Sequence, residues 1–333
     1  MDLKRIIIYL KSNMLDIRKR FAQENMDGLL LVLFTAIISG FSIFINSIGV
    51  KEFDSSIFTF AKNLVVAILL LAIIIGLGNF SELRLLKRKH WLQFMGIGLI
   101  GGSVPFLLFF RGLQLAAGTT SAFLHKTIFI YITIFALLFL KEKLTKGLFI
   151  GAALLLLGNY LLIRPDFSFS LGHLLIVIAV IFWAAENTFA KYVLRQKELS
   201  GTLVAFGRMF FGSIFILAFL IFSGKIQLLG KLTATHFMWI LLSTVFLLFY
   251  VFTYYNGLKH IKVTTAASIL TIGSPITTLL SWLFAGKAIT LSQSVGMLLI
   301  VAGIISVIWL TAIYTYIYSL LSRDSRAAKL LRD

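Results

Sequence analysis

The 333-residue chain is 59% hydrophobic and 13% charged, with a mean hydropathy of +0.97. That balance excludes an ordinary soluble domain and places the chain in a bilayer. The absence of Cys removes disulfide frameworks and thiolate metal sites. A formal charge of +18 would suit nucleic acid only if the basic residues gathered on one solvated face; here they punctuate apolar runs, so no nucleic-acid partner is expected.

Residues 1–27 form the first element. Leu3, Ile7, Leu10, Met14, Ile17 and Phe21 recur every three or four positions, with Lys4, Lys11, Arg18 and Arg20 between them. This pattern predicts a basic amphipathic helix lying on an anionic membrane surface. Its apolar core, IIIYL, is too short for a signal peptide. Ten runs then follow, each long enough to cross the ~30 Å hydrocarbon core as a helix. They cover residues 28–50, 55–79, 92–114, 118–140, 146–164, 170–192, 200–223, 235–258, 263–286 and 290–318. Short turns connect them, and a basic tail, 319–333, closes the chain. The fold class is therefore all-α and integral to a membrane, with lipids as its solvent.

Lys and Arg divide unevenly between the two sets of loops. With the amino terminus inside, 22 lie in inner segments and five in outer loops, which predicts both termini in the cytoplasm and a multi-pass protein of the cell membrane. Four basic residues remain inside the predicted spans: Lys62, Arg111, Lys126 and Arg208.

Sliding the chain along itself by 145 residues lays RGLQLAAGTTSAFL over NGLKHIKVTTAASI without a gap. Scarce residue types stay in register, as in Gly112/Gly257, Thr119/Thr264, Thr145/Thr290, Gly151/Gly296 and Gly158/Gly303. The chain thus reads as two copies of a five-helix unit, residues 28–164 and 170–318. Because five is odd, the second copy enters the membrane from the opposite side, giving an inverted repeat.

The order of these features resembles the EamA-type transporters of the drug/metabolite transporter superfamily. The resemblance rests on the RGL and NGL turns, the TT-A helix starts, Glu142 in FLKEKLT and the doubled glycines of GAALLLLG. It implies secondary transport or efflux of a small metabolite through a central cavity between the halves. Departures from the pattern are Lys287 opposite Glu142, Ile130 opposite Pro275, and Ser39-Gly40 where an aromatic-Gly pair is usual; Trp183 is kept.

The face of each span nominates the site. Thr119, Ala122, Lys126 and Thr133 share one stripe, as do Thr264, Ser268, Thr271, Ser274, Thr278 and Ser281. Lys126 lies over Thr271 in the repeat, and a buried ammonium there has to face water, a partner or a ligand. His125 is turned about 100° away by the helix period. Lys62 and Arg208 are symmetry mates and candidate cavity residues, whereas Arg111 is placed to reach the interface. Glu186, with Trp183 one turn away, is the sole acidic residue inside a span; it is Arg208's partner, the inner end of the substrate site, or a proton carrier. GIGLIG at 96–101 opens a membrane helix without a preceding strand, so it reads as helix packing rather than nucleotide binding.

No catalytic constellation, cofactor site or metal-ligand spacing emerges, and the oligomeric state is not legible. The excess of buried cations favours a transporter of a small anionic or zwitterionic metabolite. The alternative is a non-transport membrane protein, such as a handler of lipid-linked intermediates or an accessory subunit, whose buried charges only hold helices together.

Overall fold

The structure, a computed structural model, describes residues 25–46, 54–77, 80–116, 119–143, 145–166 and 170–310. The expected amphipathic helix up to residue 24 and the tail 319–333 lie outside the described residues. Among the described residues ten helices are long and apolar enough to cross a membrane: α1 Asn25–Asn46, α2 Ser55–Gly76, α3 Arg88–Leu115, α4 Thr119–Phe139, α5 Lys146–Ile163, α6 Leu171–Arg195, α7 Gly201–Phe222, α8 Ala234–His260, α9 Val263–Ala285 and α10 Leu291–Trp309. Large apolar side chains such as Phe34, Ile68, Phe149, Leu241 and Leu298 face outward, as a lipid-embedded surface requires. Most helix starts are signalled locally. Asp54, Thr145, Ser170, Ser200, Thr233 and Thr290 each accept a hydrogen bond from an N–H of the first turn that follows.

One boundary corrects the sequence expectation. Helix α6 continues past residue 192 to Arg195, and Lys191, counted above among the 22 cations of the inner segments, is a buried helical residue. It is held because its ammonium donates to the carbonyls of Leu258 and Lys259, 2.7 and 3.1 Å away, at the end of α8.

The ends of the bundle are tied by polar contacts. At the end where α1, α3, α5, α7 and α9 begin, here called the basic end, Lys89 meets Glu198 at 2.7 Å and Arg195 meets Glu142 at 2.9 Å. At the opposite end Lys225 meets Asp54 at 2.7 Å, and Arg164 Nε donates to Ser292 at 3.1 Å.

The inverted repeat is visible in the backbone. Helices α5 and α10 run antiparallel and meet at glycines. A Cβ on Gly158 would stand 2.8 Å from the Gly296 carbonyl, and one on Gly151 would stand 2.7 Å from that of Gly303. Shifting the first pair by the repeat generates the second, so the pseudo-twofold axis passes through this crossing. The turns after α4 and α9 match as well. Lys141 and Gly286 both adopt left-handed backbone, with φ of 54° and 64°. The next residues, Glu142 and Lys287, donate their N–H groups to Ala136 and Ser281, at 3.1 and 3.2 Å.

Among the described residues four helices depart from the regular α form, which the apolar runs do not announce; one of them, α10, ends in a π turn over Ser306–Leu310. In α3, Pro105 offers no N–H to the carbonyl four residues back, and the chain widens into a π turn over Gly98–Ser103. Helices α4 and α9 tighten at equivalent points. Thr127 N–H bonds the Leu124 carbonyl at 3.1 Å, and Ile272 N–H bonds the Ile269 carbonyl at 3.0 Å, both i→i+3 contacts. In α9 Pro275 cannot donate to Thr271, and in both helices a threonine hydroxyl bonds back to the preceding turn: Thr127 to Leu124 at 2.7 Å and Thr271 to Ser268 at 2.6 Å.

The glycine crossing of α5 and α10 can be tested by overpacking. Gly158→Ala and Gly296→Ala should each destabilise the protein by about 1–3 kcal/mol, because the added methyl meets backbone. Gly76→Ala, whose Cβ meets nothing within 4 Å, should not. Thermal unfolding in detergent distinguishes the three, and equal midpoints would contradict the close approach.

Candidate substrate site

The π turn of α3 organises the centre of the molecule. Pro105 leaves the Gly101 carbonyl without an α-helical donor, and two side chains take it. Trp183 Nε1 of α6 donates at 3.1 Å and Arg208 Nη2 of α7 at 3.0 Å. Next to it, the Gly102 carbonyl accepts from Asn63 Nδ2 of α2 at 2.9 Å. Two adjacent carbonyls therefore fix groups from three other helices. The glycines are needed for approach: a Cβ on Gly101 would lie 2.2 Å from Glu186 Cγ, and one on Gly102 would lie 2.6 Å from the Arg208 carbonyl. The GIGLIG run is thus a packing surface, as its sequence context indicated.

Glu186 is buried beside Arg208, with Arg208 Nε 3.9 Å from its Oε2, an ion-pair separation too long for a hydrogen bond. Its oxygens accept from Tyr255 Oη and, at 3.3 Å, from Asn187 Nδ2. Asn187 also donates to the Trp183 carbonyl at 2.7 Å and accepts from Tyr254 Oη. Arg208 Nε itself has no hydrogen-bond partner among the described residues. Tyr255, Asn187 and Asn63 were not marked by the sequence, since none is a scarce charge in a span; Gly101 was marked only as part of a packing run, and its spacing to Pro105 was the one available signal.

On its other side Trp183 joins an aromatic cluster. Its ring lies 5.2 Å from Phe106, 5.3 Å from Phe109 and 5.6 Å from His125, and His125 lies 5.1 Å from Phe109. His125, Trp183, Glu186 and Arg208 are thereby connected in one network. Lys126 follows His125 at the break in α4 and has no carboxylate or hydrogen-bond partner among the described residues. Lys62 is buried with its ammonium 4.1 Å from the centre of the Phe58 ring, and again no carboxylate reaches it among the described residues.

Thr271 and Ser274 stand differently. Thr271 bonds its own helix, and Ser274 Oγ donates to Asn159 Oδ1 of α5 at 3.3 Å, so both hydroxyls already have protein partners. A cavity of about 530 Å³ opens between α4 and α6 in the half opposite the basic end, lined by Leu124, Tyr131, Ser170, Leu171, Leu174 and Val177; Lys126 and Thr271 are not in its lining. Arg111 is exposed and donates to Gln114 at 3.1 Å, consistent with its place near the interface. Among the described residues no cluster of His, Asp and Glu could hold a metal ion.

Outside the spans, two carboxylates are held by cations. Burial works to raise Asp54, but Lys225 and the amides of Ser56 and Ile57 outweigh it and keep the carboxyl below its ordinary range. Hydrogen bonds from Lys89 and His90 hold Glu198 down to about 2.

Residues 26–164 and 170–309 both match the EamA-like transporter family. The chain belongs to that family. An "Uncharacterized transporter" from Methanothermobacter thermautotrophicus is 29% identical over 126 residues, 36% of this chain and 36% of that protein. An "Uncharacterized transporter in cobO 3'region" from Sinorhizobium sp is 28% identical over 135 residues, 40% of this chain and 92% of that protein. This chain thus aligns with about a third of the first relative's length and nearly all of the second's. A solved crystal structure shares the fold, with a TM-score of 0.71 at 18% identity over 85% of this chain and 97% of its own. The chain is a multi-pass membrane protein of this family.

Two outcomes follow. Tyr255→Phe removes a donor from a buried carboxylate and should destabilise the protein by about 1–3 kcal/mol, whereas Tyr250→Phe should change the melting midpoint little. The Glu198 contact should be pH-dependent. Its folded value of about 2 lies below an unfolded value near ~4.3, so its contribution is complete above the latter and disappears as pH falls through the former. Wild type and Glu198→Gln should therefore unfold at different temperatures near neutral pH and converge in acid; a constant difference would contradict the assignment.

Proposed function

We propose that this EamA-family protein carries a small carboxylated or phosphorylated metabolite, zwitterions included, by alternating access, with Lys62 and Lys126 receiving the anionic group. The reading rests on one observation: Lys62 and Lys126 are cations within spans that no carboxylate of the described protein neutralises. Arg208 has Glu186 and the Gly101 carbonyl, Lys191 has helix-end carbonyls, and Arg195 has Glu142. An unpaired charge in low dielectric is unfavourable unless water or a ligand meets it. The position of Lys126 at a broken helix supports the same reading, because interrupted helices in transporters expose backbone and side-chain groups to substrate.

In this reading the anion passes from Lys62 and Lys126 in one half of the bilayer toward Arg208 in the other. His125 and Trp183 form the apolar wall beside it, and Thr271 and Ser274 line the path at the break of α9 once it opens. Glu186, held by Tyr255 and Asn187, is the candidate carrier of a coupling proton. Efflux across the cell membrane, with both termini cytoplasmic, is the direction and orientation that the family resemblance and the distribution of Lys and Arg support.

Purified protein should be thermally stabilised by a carboxylate or phosphate ligand and not by its neutral amide or dephosphorylated analogue. Lys126→Ala should abolish transport in proteoliposomes while remaining folded, and Lys62→Ala should weaken apparent affinity on the order of tenfold or more. Equal stabilisation by charged and neutral ligands, or normal transport by Lys126→Ala, would overturn the anion assignment.

A further inference from the structure

The basic end is shut by bonds that cross between the two halves. Glu142, in the turn after α4, is buried and belongs to the first half. Its Oε1 accepts from the Val263 N–H at 3.3 Å and from Arg195 Nη2 at 2.9 Å, and its Oε2 accepts from Thr264 Oγ1 at 2.8 Å. Val263, Thr264 and Arg195 all belong to the second half. Lys262, the N-cap residue of α9, makes no side-chain bond to the first turn of that helix, so a carboxylate from the other half does what a local cap would do. A negative charge there also complements the positive end of the helix dipole.

Closure is consistent around this contact. The inner segment of α9, Val263–Leu270, packs against Ile128–Phe139 of α4, and Leu140, Leu258, Ile261 and Val263 are buried there. Toward the opposite end the molecule is looser. The α4–α6 cavity lies there, and Ala122 of α4 is exposed whereas its repeat mate Ala267 in α9 is buried.

The inverted repeat places Lys287 where Glu142 stands. Both positions follow a left-handed residue, donate the same six-residue backbone bond and precede a capping threonine. Closure at the opposite end would bring the turn after α9 toward the start of α4, as the turn after α4 now meets the start of α9. An ammonium cannot accept a helical N–H and is repelled by the positive helix end. Thr120, beside that helix start, already donates to Asp166 of its own half.

We propose, resting on the alternating-access reading, that Glu142 is a latch for the state closed at the basic end, and that its replacement by Lys287 in the mirror position leaves the opposite closure unlatched. The resting transporter is therefore biased toward the state open opposite the basic end. The two halves share a backbone plan, and the bias comes from one carboxylate present in one turn and absent from the other.

The absence of native Cys makes the test direct. Ser268→Cys, one turn into α9 from Thr264, reports access from the basic end, and Ala122→Cys reports access from the opposite end; each is labelled with a membrane-impermeant thiol reagent in reconstituted protein. In the otherwise native chain the Ala122→Cys reporter should react quickly and the Ser268→Cys reporter slowly. Glu142→Gln should raise the Ser268→Cys rate on the order of tenfold and lower the other. Lys287→Glu, which leaves the Glu142 contacts untouched, should likewise raise the Ser268→Cys rate and lower the Ala122→Cys rate by supplying the missing cap.

Should Glu142→Gln fail to fold, Thr264→Ala, which removes one of its bonds, and Lys287→Glu carry the test. Unchanged rates in folded Glu142→Gln would reduce Glu142 to a static brace, and unchanged rates in Lys287→Glu would refute the asymmetry. If both variants shift the rates but the anionic ligand does not, the latch stands and the anion reading falls.

Discussion

A polar group inside a hydrocarbon layer has to find its partner within the protein, and the carbonyl of Gly101 shows how far that requirement reaches. Pro105 has no N–H to give it, so the carbonyl recruits Trp183 from α6 and Arg208 from α7. Fixing Arg208 there sets it beside Glu186, which in turn draws in Tyr255 from α8 and Asn187 from its own helix. Asn63 of α2 is held by the next carbonyl. A local backbone irregularity thus spreads into a network joining five helices. The same irregularity demands glycine at 101 and 102, because the helices carrying these side chains approach within contact of the α3 backbone.

The same requirement sorts the buried cations. Arg208, Lys191 and Arg195 each meet carbonyl or carboxylate oxygens, and their charges are absorbed by the fold. Lys62 has an aromatic face, which attracts an ammonium but neither neutralises it nor accepts all its protons. Lys126 lies where α4 breaks, next to a histidine engaged in ring contacts. What lies across the helix interface therefore separates charges absorbed by the fold from the two left for the proposed ligand, and the simple excess of basic residues overstated the latter: one carboxylate and one carbonyl already offset the charge of Arg208.

What could be read from the sequence follows from this division. Helix number, approximate limits and the inverted repeat were legible because apolar run length and scarce residues such as the paired Gly and Thr are direct records of bilayer thickness and helix crossing. Lys191 was counted with the inner-segment cations because a cation near the end of an apolar run reads the same whether it faces water or is capped by carbonyls. The kink at Thr127 left no mark, since α4 lacks the proline that breaks α9. Thr271 and Ser274 fell on a periodic polar stripe, but periodicity gives a face and not what lies across it; one hydroxyl bonds its own turn and the other meets Asn159. The partners of Glu142 are more than a hundred residues distant on one side and become visible only when the halves are assembled.

An inverted repeat with identical side chains in both halves would give two mirror states of equal energy. This chain keeps the shared backbone plan at the turns after α4 and α9, down to the left-handed residue and the bond that closes each turn. It then departs from symmetry where charge matters: Glu142 against Lys287, Lys126 against Thr271, Pro275 against Ile130. On the alternating-access proposal, backbone symmetry supplies two arrangements, because the turn after α9 can approach the start of α4 as the turn after α4 meets the start of α9. On the same proposal, side-chain asymmetry sets their populations and gives the path a sign, since a cation at one break corresponds to a hydroxyl at the other. A ligand shifts such an equilibrium only through a difference in its affinity for the two states. With the ammonium of Lys126 on one side of the centre and only Thr271 at the matching point of the other, an anion bound as proposed would meet unequal partners in the two arrangements, and that inequality would couple its binding to the motion of the halves.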